Sequence, residues 1–161
     1  PYFYFTWGAA VSEALIDINT GENRILRADI IQDCGNSLNE NIDIGQIEGG
    51  FIQGLGWLTC EELYFSKEGK LLTTGPSTYK LPGSRDAPSI FNVKLLENAD
   101  NDEKTIFRSK AVGEPPLLLA ISHFLALKEA IKVASSSSNP ELLNSPATPS
   151  EILKAINGLT S

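Results

Sequence analysis

The sequence predicts an α+β fold, in which a mixed or antiparallel sheet carries helices packed on one face. Alternating side chains over residues 2–18 and 25–33, separated by the turn-forming run at 19–23, predict a β-hairpin. Apolar residues three and four positions apart predict helices over 43–59 and 117–134. Strand and helix patterns that mix in this way are typical of the α+β class.

Shorter patterns predict the remaining elements. Strand-like runs occupy residues 61–65, 70–74, 90–96 and 105–108. A last helix begins at Thr148, where Thr, Pro, Ser and Glu in succession form a capping box with proline at the first helical position. The serine-rich run at 135–140 separates this helix from the one before it.

The composition indicates a folded protein and excludes two kinds of partner. The 161 residues, 42% of them hydrophobic, suffice for one domain with a real core. Thirteen basic and 20 acidic residues give a net charge of −7, without the clustered Lys and Arg that a nucleic-acid backbone requires. The longest apolar stretch begins at Pro115 and is too short and too polar to span a bilayer.

Two features bear on where the chain functions. Cys34 and Cys60 lack the spacing of metal ligands. Isolated cysteines, without an N-terminal signal pattern, predict a reducing, cytoplasmic location. The sequence contains no Met and begins at Pro1 directly with strand-like residues, so we expect a segment of a longer chain.

The first candidate for chemistry is Glu114, within the run Gly-Glu-Pro-Pro at 113–116. The residue before a proline avoids the helical region, so Glu114 and Pro115 are expected to be extended just outside a helix N-terminus. The helix dipole there favours the carboxylate form, which a general base requires. Judged on these four residues alone, an ordinary solvated glutamate near a helix start is the commoner interpretation.

The helix predicted over 43–59 contains more glycine than a helix tolerates without a reason. Each interior glycine costs roughly 1 kcal/mol relative to alanine. The five glycines are Gly45, Gly49, Gly50, Gly54 and Gly56. Gln46, placed in the first turn, adds an amide that donates and accepts beside backbone N–H groups without helical partners. A bound ligand and the close approach of another backbone explain the glycines equally well.

Other motifs are weaker candidates. Neither a phosphate loop nor a complete dinucleotide fingerprint follows the glycines. His123 lies in an apolar helix and is expected to be a satisfied structural residue. Glu61 and Glu62 alternate onto opposite faces of a strand, which is wrong for a carboxylate dyad. No basic neighbour activates Cys34. We therefore predict no metal-ligand set from the protein itself.

Several runs together resemble the xanthine dehydrogenase/aldehyde oxidase family of molybdenum hydroxylases. They match that family in order and approximate spacing, and they are residues 43–56, 61–63, 75–82, 109–117 and 145–149. The first run is the glycine-rich helix, and the fourth contains Gly-Glu-Pro-Pro. The resemblance covers nearly the whole chain and implies the C-terminal part of a molybdopterin-binding region.

The resemblance implies a role for each candidate residue. Members of this family hydroxylate an electron-poor carbon with oxygen from water, at a molybdenum held by a pyranopterin. Glu114 matches the glutamate that takes the proton from the metal's hydroxyl group, and is thus the implied catalytic base. Gln46 matches a glutamine that lines the cofactor. Gly113, together with Gly45 and Gly49, would let the backbone approach that cofactor.

The resemblance also implies a context. The molybdenum–molybdopterin cofactor would be shared with other parts of the enzyme, FAD and 2Fe-2S clusters would lie elsewhere in it, and the complete enzyme would be a homo-oligomer. This segment alone would be inactive. The implied substrate is a purine such as hypoxanthine or xanthine. An aldehyde oxidase-type enzyme and a non-catalytic domain that binds no cofactor alone stay open as alternatives. Residues 1–138 would form the C-terminal part of the molybdopterin-binding domain, and 139–161 its linker and capping helix.

Overall fold

A computed structural model describes residues 3–159. Within them three strands form one sheet: β1 (Gly8–Ile16), β2 (Asn23–Gln32) and β3 (Ile90–Leu95). The strand order is β1-β2-β3, with β1 antiparallel to β2 and β2 parallel to β3. Three α-helices accompany the sheet: α1 (Glu40–Thr59), α2 (Ile121–Ala134) and α3 (Pro149–Ile156). The predicted α+β class is confirmed, and the sheet is of the mixed type.

The predicted hairpin is confirmed, and residues 17–22 form its turn. The side chain of Asp17 accepts two backbone hydrogen bonds within that turn. Gly21 has a φ of +75°, a conformation that costs a glycine little and other residues more. The first strand is shorter than predicted, because residues 3–7 form no strand. The prediction also included Tyr2, which lies outside the described residues.

Helices cover one face of the sheet, and they bury two apolar cores. The first core joins β2 to α1 and consists of Ile25, Ala28, Ile30, Ile47, Phe51, Leu55 and Ala120. The ring of Phe51 also contacts that of Phe91 on β3, with centroids 5.6 Å apart. The second core joins α2 to α3 and consists of Leu127, Ile131, Leu143, Ala147, Ile152, Ala155 and Ile156. On the other face of the sheet, Val11 and Leu15 are exposed.

Side-chain caps fix where two of the helices begin. α1 begins at Glu40, three residues before the predicted start, because the side chain of Asn39 accepts a hydrogen bond from the Ile42 N–H at 3.3 Å. The α3 helix follows Thr148, whose hydroxyl accepts from the Glu151 N–H at 3.4 Å. The last predicted helix is therefore confirmed, together with its N-cap.

Two predictions of short strands are wrong. Residues 61–65 and 70–74 form no hairpin; a single bridge joins Phe65 and Leu71. Residues 105–108 contain a short 3-10 helix, Ile106–Arg108, in which Phe107 has a φ of 49°. A strand cannot continue through that left-handed conformation.

The helix predicted over 117–134 has two parts. A 3-10 helix, Pro115–Ala120, precedes α2, and a further 3-10 helix, Pro140–Leu142, follows it. Pro115 and Pro116 occupy the first turn of the 3-10 helix, where their missing N–H groups would have no helical partner. None of the helices among residues 3–159 is both long and apolar enough to cross a membrane.

Candidate active site

The glycines of α1 fall on different faces of the helix, and three of them are explained by packing. A Cβ added at Gly50 would lie 2.8 Å from the carbonyl oxygen of Gly113. One added at Gly54 would overlap the carbonyl oxygen of Leu117. At Gly56 it would overlap the carboxylate of Glu61. These glycines let the segment that carries Glu114, and the loop after α1, approach the helix backbone.

The other two glycines have no such explanation among residues 3–159. A Cβ added at Gly45 or at Gly49 would meet no atom within 4 Å. Both residues are exposed and lie one helical turn apart, so they form a stripe along α1 without side chains. The sequence left open whether the glycines serve close packing or a bound ligand. Close packing explains Gly50, Gly54 and Gly56, but it does not explain Gly45 and Gly49.

Gln46 lies beside this stripe but not in the first turn of the helix. Because α1 begins at Glu40, the backbone N–H of Gln46 belongs to the regular helical ladder and is no longer a free anion-binding group. The side-chain amide is exposed and has no hydrogen bond to any residue in the described range. A Cβ placed on Gly113 would be 3.1 Å from its Oε1 atom. Gln46 and Gly113 thus lie next to each other, and the amide of Gln46 is free to bind a ligand.

Glu114 follows Gly113 directly and is the N-cap residue of the 3-10 helix. Its φ and ψ of −96° and −41° are helical, so the prediction of an extended backbone is wrong. The reason is local: the carbonyl of Glu114 accepts a hydrogen bond from the Leu117 N–H at 3.0 Å, which closes the first turn. Its carboxylate is exposed, does not cap the helix, and bonds to no residue between 3 and 159.

A buried ion pair near Glu114 was not predicted from the sequence. The ammonium group of Lys110 lies 2.6 Å from Oδ2 of Asp33, and the two side chains are only 10% and 1% exposed. The pair joins the end of β2 to the segment that leads to Glu114. A charged residue after a buried strand is a weak sequence signal that a partner exists, but the partner itself lies 77 positions away.

Two other findings delimit the site. No three His, Cys, Asp or Glu side chains in the described part of the chain come together as a metal-binding group. A cavity of about 570 Å³ lies between the first turns of α1 and the residues after β3, but it includes none of the candidate residues. The candidate site is instead an exposed surface of α1 and the segment beside it, polar at Gln46, without side chains at Gly45 and Gly49, and acidic at Glu114. That shape and those donor and acceptor groups fit a large polar cofactor approaching the helix backbone.

Comparison with known proteins identifies the family. The family model of the molybdopterin cofactor-binding domain matches residues 1–88. The xanthine dehydrogenase/oxidase of Felis catus is 53% identical over 162 aligned positions, which cover 96% of this chain and 12% of that protein. The protein of the same name from Rattus norvegicus is 51% identical over 160 positions, with the same coverage. The crystal structure of quinoline 2-oxidoreductase from Pseudomonas putida 86 matches with a TM-score of 0.76 and 27% identity, over 90% of this chain and 18% of that one.

The chain therefore belongs to the molybdopterin cofactor-binding domain family. Its similarity to the xanthine dehydrogenase/oxidases, at 51–53% identity, places it within the xanthine dehydrogenase/aldehyde oxidase family of molybdenum hydroxylases. The resemblance inferred from the motifs is confirmed. The chain spans about 12% of the length of the curated relatives it matches.

Proposed function

We propose that this chain forms part of the active site of a molybdenum hydroxylase of the xanthine dehydrogenase type. The reaction is the oxidative hydroxylation of a purine, such as hypoxanthine or xanthine, with oxygen from water. One observation carries the proposal: a stripe of α1 without side chains, at Gly45 and Gly49, adjoins the free amide of Gln46 and the segment that presents Glu114. The 51–53% identity to xanthine dehydrogenase/oxidases supports this substrate class over aldehydes.

The residues of α1 would form one wall of the cofactor site. Gly45 and Gly49 let a bulky group come into contact with the helix backbone, because a side chain there would occupy the same space. The amide of Gln46 donates and accepts hydrogen bonds at the edge of that wall. Gly113 keeps the facing segment close to Gln46 without a side chain between them. The molybdenum–molybdopterin cofactor, when bound, supplies the oxygen-transfer and electron-accepting chemistry.

Glu114 would act as the general base. A base needs a carboxylate oxygen that is free to accept a proton, and this carboxylate makes no hydrogen bond to residues 3–159. Its backbone, in contrast, is restrained by Pro115 and by the hydrogen bond from the Leu117 N–H. A restrained backbone with a free carboxylate keeps the proton acceptor beside α1.

The complete site would need further parts of the enzyme. We propose that the remaining domains or subunits cover the exposed apolar side chains of this chain, among them Ile42 and Trp57 on α1. FAD and 2Fe-2S clusters would lie in those parts, and so would most residues that recognise the purine. The division into a domain part at 1–138 and a linker with capping helix at 139–161, the homo-oligomeric state and the cytoplasmic location stay predictions.

The test is a Glu114→Gln substitution in the holoenzyme that carries this segment. Removal of a general base lowers turnover by about 10²- to 10⁴-fold, and we expect a loss of this size while the molybdenum content stays unchanged. Glu129→Gln is the matched control, since Glu129 is an exposed glutamate whose ion pair with Lys132 lies on the surface of α2. Full turnover in a molybdenum-loaded Glu114→Gln enzyme would contradict the assignment.

A further inference from the structure

The segment that leads to Glu114 is fixed to the end of β2 by charge. Lys110 and Asp33 form the buried ion pair described above, at 2.6 Å. The second carboxylate oxygen of Asp33 accepts a hydrogen bond from the Gly35 N–H at 2.8 Å, so both oxygens are engaged. Two charges removed from water are held together only where the geometry is good. The pair therefore defines the position of Lys110 closely.

Backbone contacts reinforce the same attachment. The Lys110 N–H donates to the carbonyl of Cys34 at 2.7 Å, and the next N–H, that of Ala111, donates to the hydroxyl of Tyr4 at 2.9 Å. Gly35, with a φ of +64°, forms a β-bridge with Ser109. A Cβ on Gly35 would overlap the carbonyl oxygen of Arg108, so only glycine lets the two backbone segments come this close.

Only Val112 and Gly113 separate this attachment from Glu114. On the far side of Glu114 the chain is held again, because Pro116 and Leu117 pack against Gly50 and Gly54 of α1 and the 3-10 turn closes on the carbonyl of Glu114. The glutamate thus lies in a short span between two fixed points. A shift of the first point would therefore move the backbone that carries the Glu114 carboxylate.

We infer that Asp33 and Lys110 are positioning residues for Glu114, and that their ion pair sets the place of the general base without touching substrate or cofactor. The inference rests on the proposed function, because it assumes that Glu114 is the base. Misplacement of a reacting group by about 1 Å costs up to about 100-fold in rate. Loss of the ion pair should therefore lower kcat and leave substrate binding nearly unchanged.

The test uses the Asp33→Asn/Lys110→Met double substitution in the holoenzyme. The double variant leaves no uncompensated buried charge, which a single substitution would, so it is expected to fold and to load molybdenum. The control is Lys128→Met, which removes the partly exposed ion pair of Lys128 on α2 with Glu141 in the 3-10 helix Pro140–Leu142. Molybdenum content, kcat and KM are measured on the same preparations, beside Glu114→Gln.

We expect the loaded double variant to lose about tenfold or more in kcat, with KM within about threefold of the parent and the Lys128→Met control unchanged. A loaded double variant with kcat within about twofold of the parent would overturn the inference. So would loss of molybdenum, or a rise in KM alone, since either would assign the pair to the fold or to substrate binding. If Glu114→Gln itself retains turnover, the proposed function fails first, and the two failures are thereby distinguished.

Discussion

The two kinds of glycine in α1 make opposite predictions for the same substitution. Gly49→Ala adds a methyl group on the side of the helix where no atom lies within 4 Å. Gly54→Ala adds a methyl group that would overlap the carbonyl oxygen of Leu117 and lie 2.9 Å from the Cβ of Ala120. The first change should stabilise this chain and impair cofactor binding. The second should destabilise it.

The magnitudes follow from helix propensity and packing. Both substitutions gain roughly 1 kcal/mol from replacing an interior helical glycine by alanine. Gly49→Ala meets no steric cost, so its net gain should raise Tm by about 2–4 °C in a chain of this size. Gly54→Ala must displace backbone as well as a side chain, and overpacking of this kind costs about 1–3 kcal/mol or more. It should therefore lower the free energy of unfolding by up to about 2 kcal/mol.

Thermal or urea unfolding of the chain, followed by circular dichroism, measures the stability of each variant. Molybdenum content of the corresponding holoenzyme measures cofactor binding. Gly75→Ala provides the control, because a Cβ at Gly75 also meets nothing within 4 Å but the residue lies outside any helix. We expect Gly75→Ala to change stability by less than about 0.5 kcal/mol and to leave molybdenum content as it is.

Two results for Gly49→Ala would contradict the assignment of this side of α1 to the cofactor. If Gly49→Ala stabilises the chain and the holoenzyme still binds a full complement of molybdenum, the open side of α1 is not the cofactor wall. If Gly49→Ala destabilises the chain, a contact that the structure does not contain must be present at that face. In the first case the cofactor role of Gly45, which lies in the same stripe, also fails.

Three further predictions concern the chain as a whole. Burial lowers the pKa of His123 from its ordinary 6.5 to about 4, and Nδ1 has no hydrogen-bond partner among the described residues. The unfolded chain takes up this proton first as pH falls. The free energy of unfolding should therefore decrease by on the order of 3 kcal/mol between pH 6.5 and 4, and His123→Leu should remove that part of the pH dependence in urea titrations. Metal analysis of the purified 161-residue chain should find far less than one molybdenum per chain; a stoichiometric amount would contradict the shared site. The chain should also bind an apolar dye or self-associate, because side chains such as Trp7 and Phe107 are 68% and 75% exposed; a monomer that binds no dye would count against it.

Elements with a strong periodic pattern were predictable from the sequence. The hairpin follows from alternation and a turn signal, α1 from apolar spacing, and α3 from the capping box at Thr148. The wrong strand predictions fall where the local sequence pattern does not show whether a second strand is available for pairing. Residues 61–65 have the alternating pattern of a strand, but among the described residues they form a single β-bridge, between Phe65 and Leu71. At 105–108 the sequence pattern did not predict the left-handed conformation of Phe107.

The sequence predicted the candidate residues, whose roles stay predictions, but it did not separate the glycines that pack against other segments from those that do not. The motifs identified Gln46 and Glu114, yet five glycines on one helix could not be assigned to packing or ligand without the segment that crosses it. One signal was available: Gly45 with Gly49 and Gly50 with Gly54 are two pairs at a spacing of four, so they mark two stripes on different faces of the helix. The ion pair of Lys110 had no comparable signal, because it depends on a contact across 77 positions.

At Glu114 the backbone is held in place while the carboxylate has no hydrogen-bond partner among the described residues. The backbone N–H groups of the first helical turn have no helical partner and can donate to a side-chain oxygen, including that of a carboxylate at the helix start. Here Pro115 and Pro116 remove the first two of those donors, and the carbonyl of Glu114, not its carboxylate, closes the turn. The prolines thereby keep the local backbone from competing for the carboxylate. The fixed points on either side, at Lys110 and Gly50, hold the backbone without engaging the side chain. Preorganised backbone and unsatisfied acceptor together are what a general base needs, and the sequence Gly-Glu-Pro-Pro provides both through the absence of competing donors.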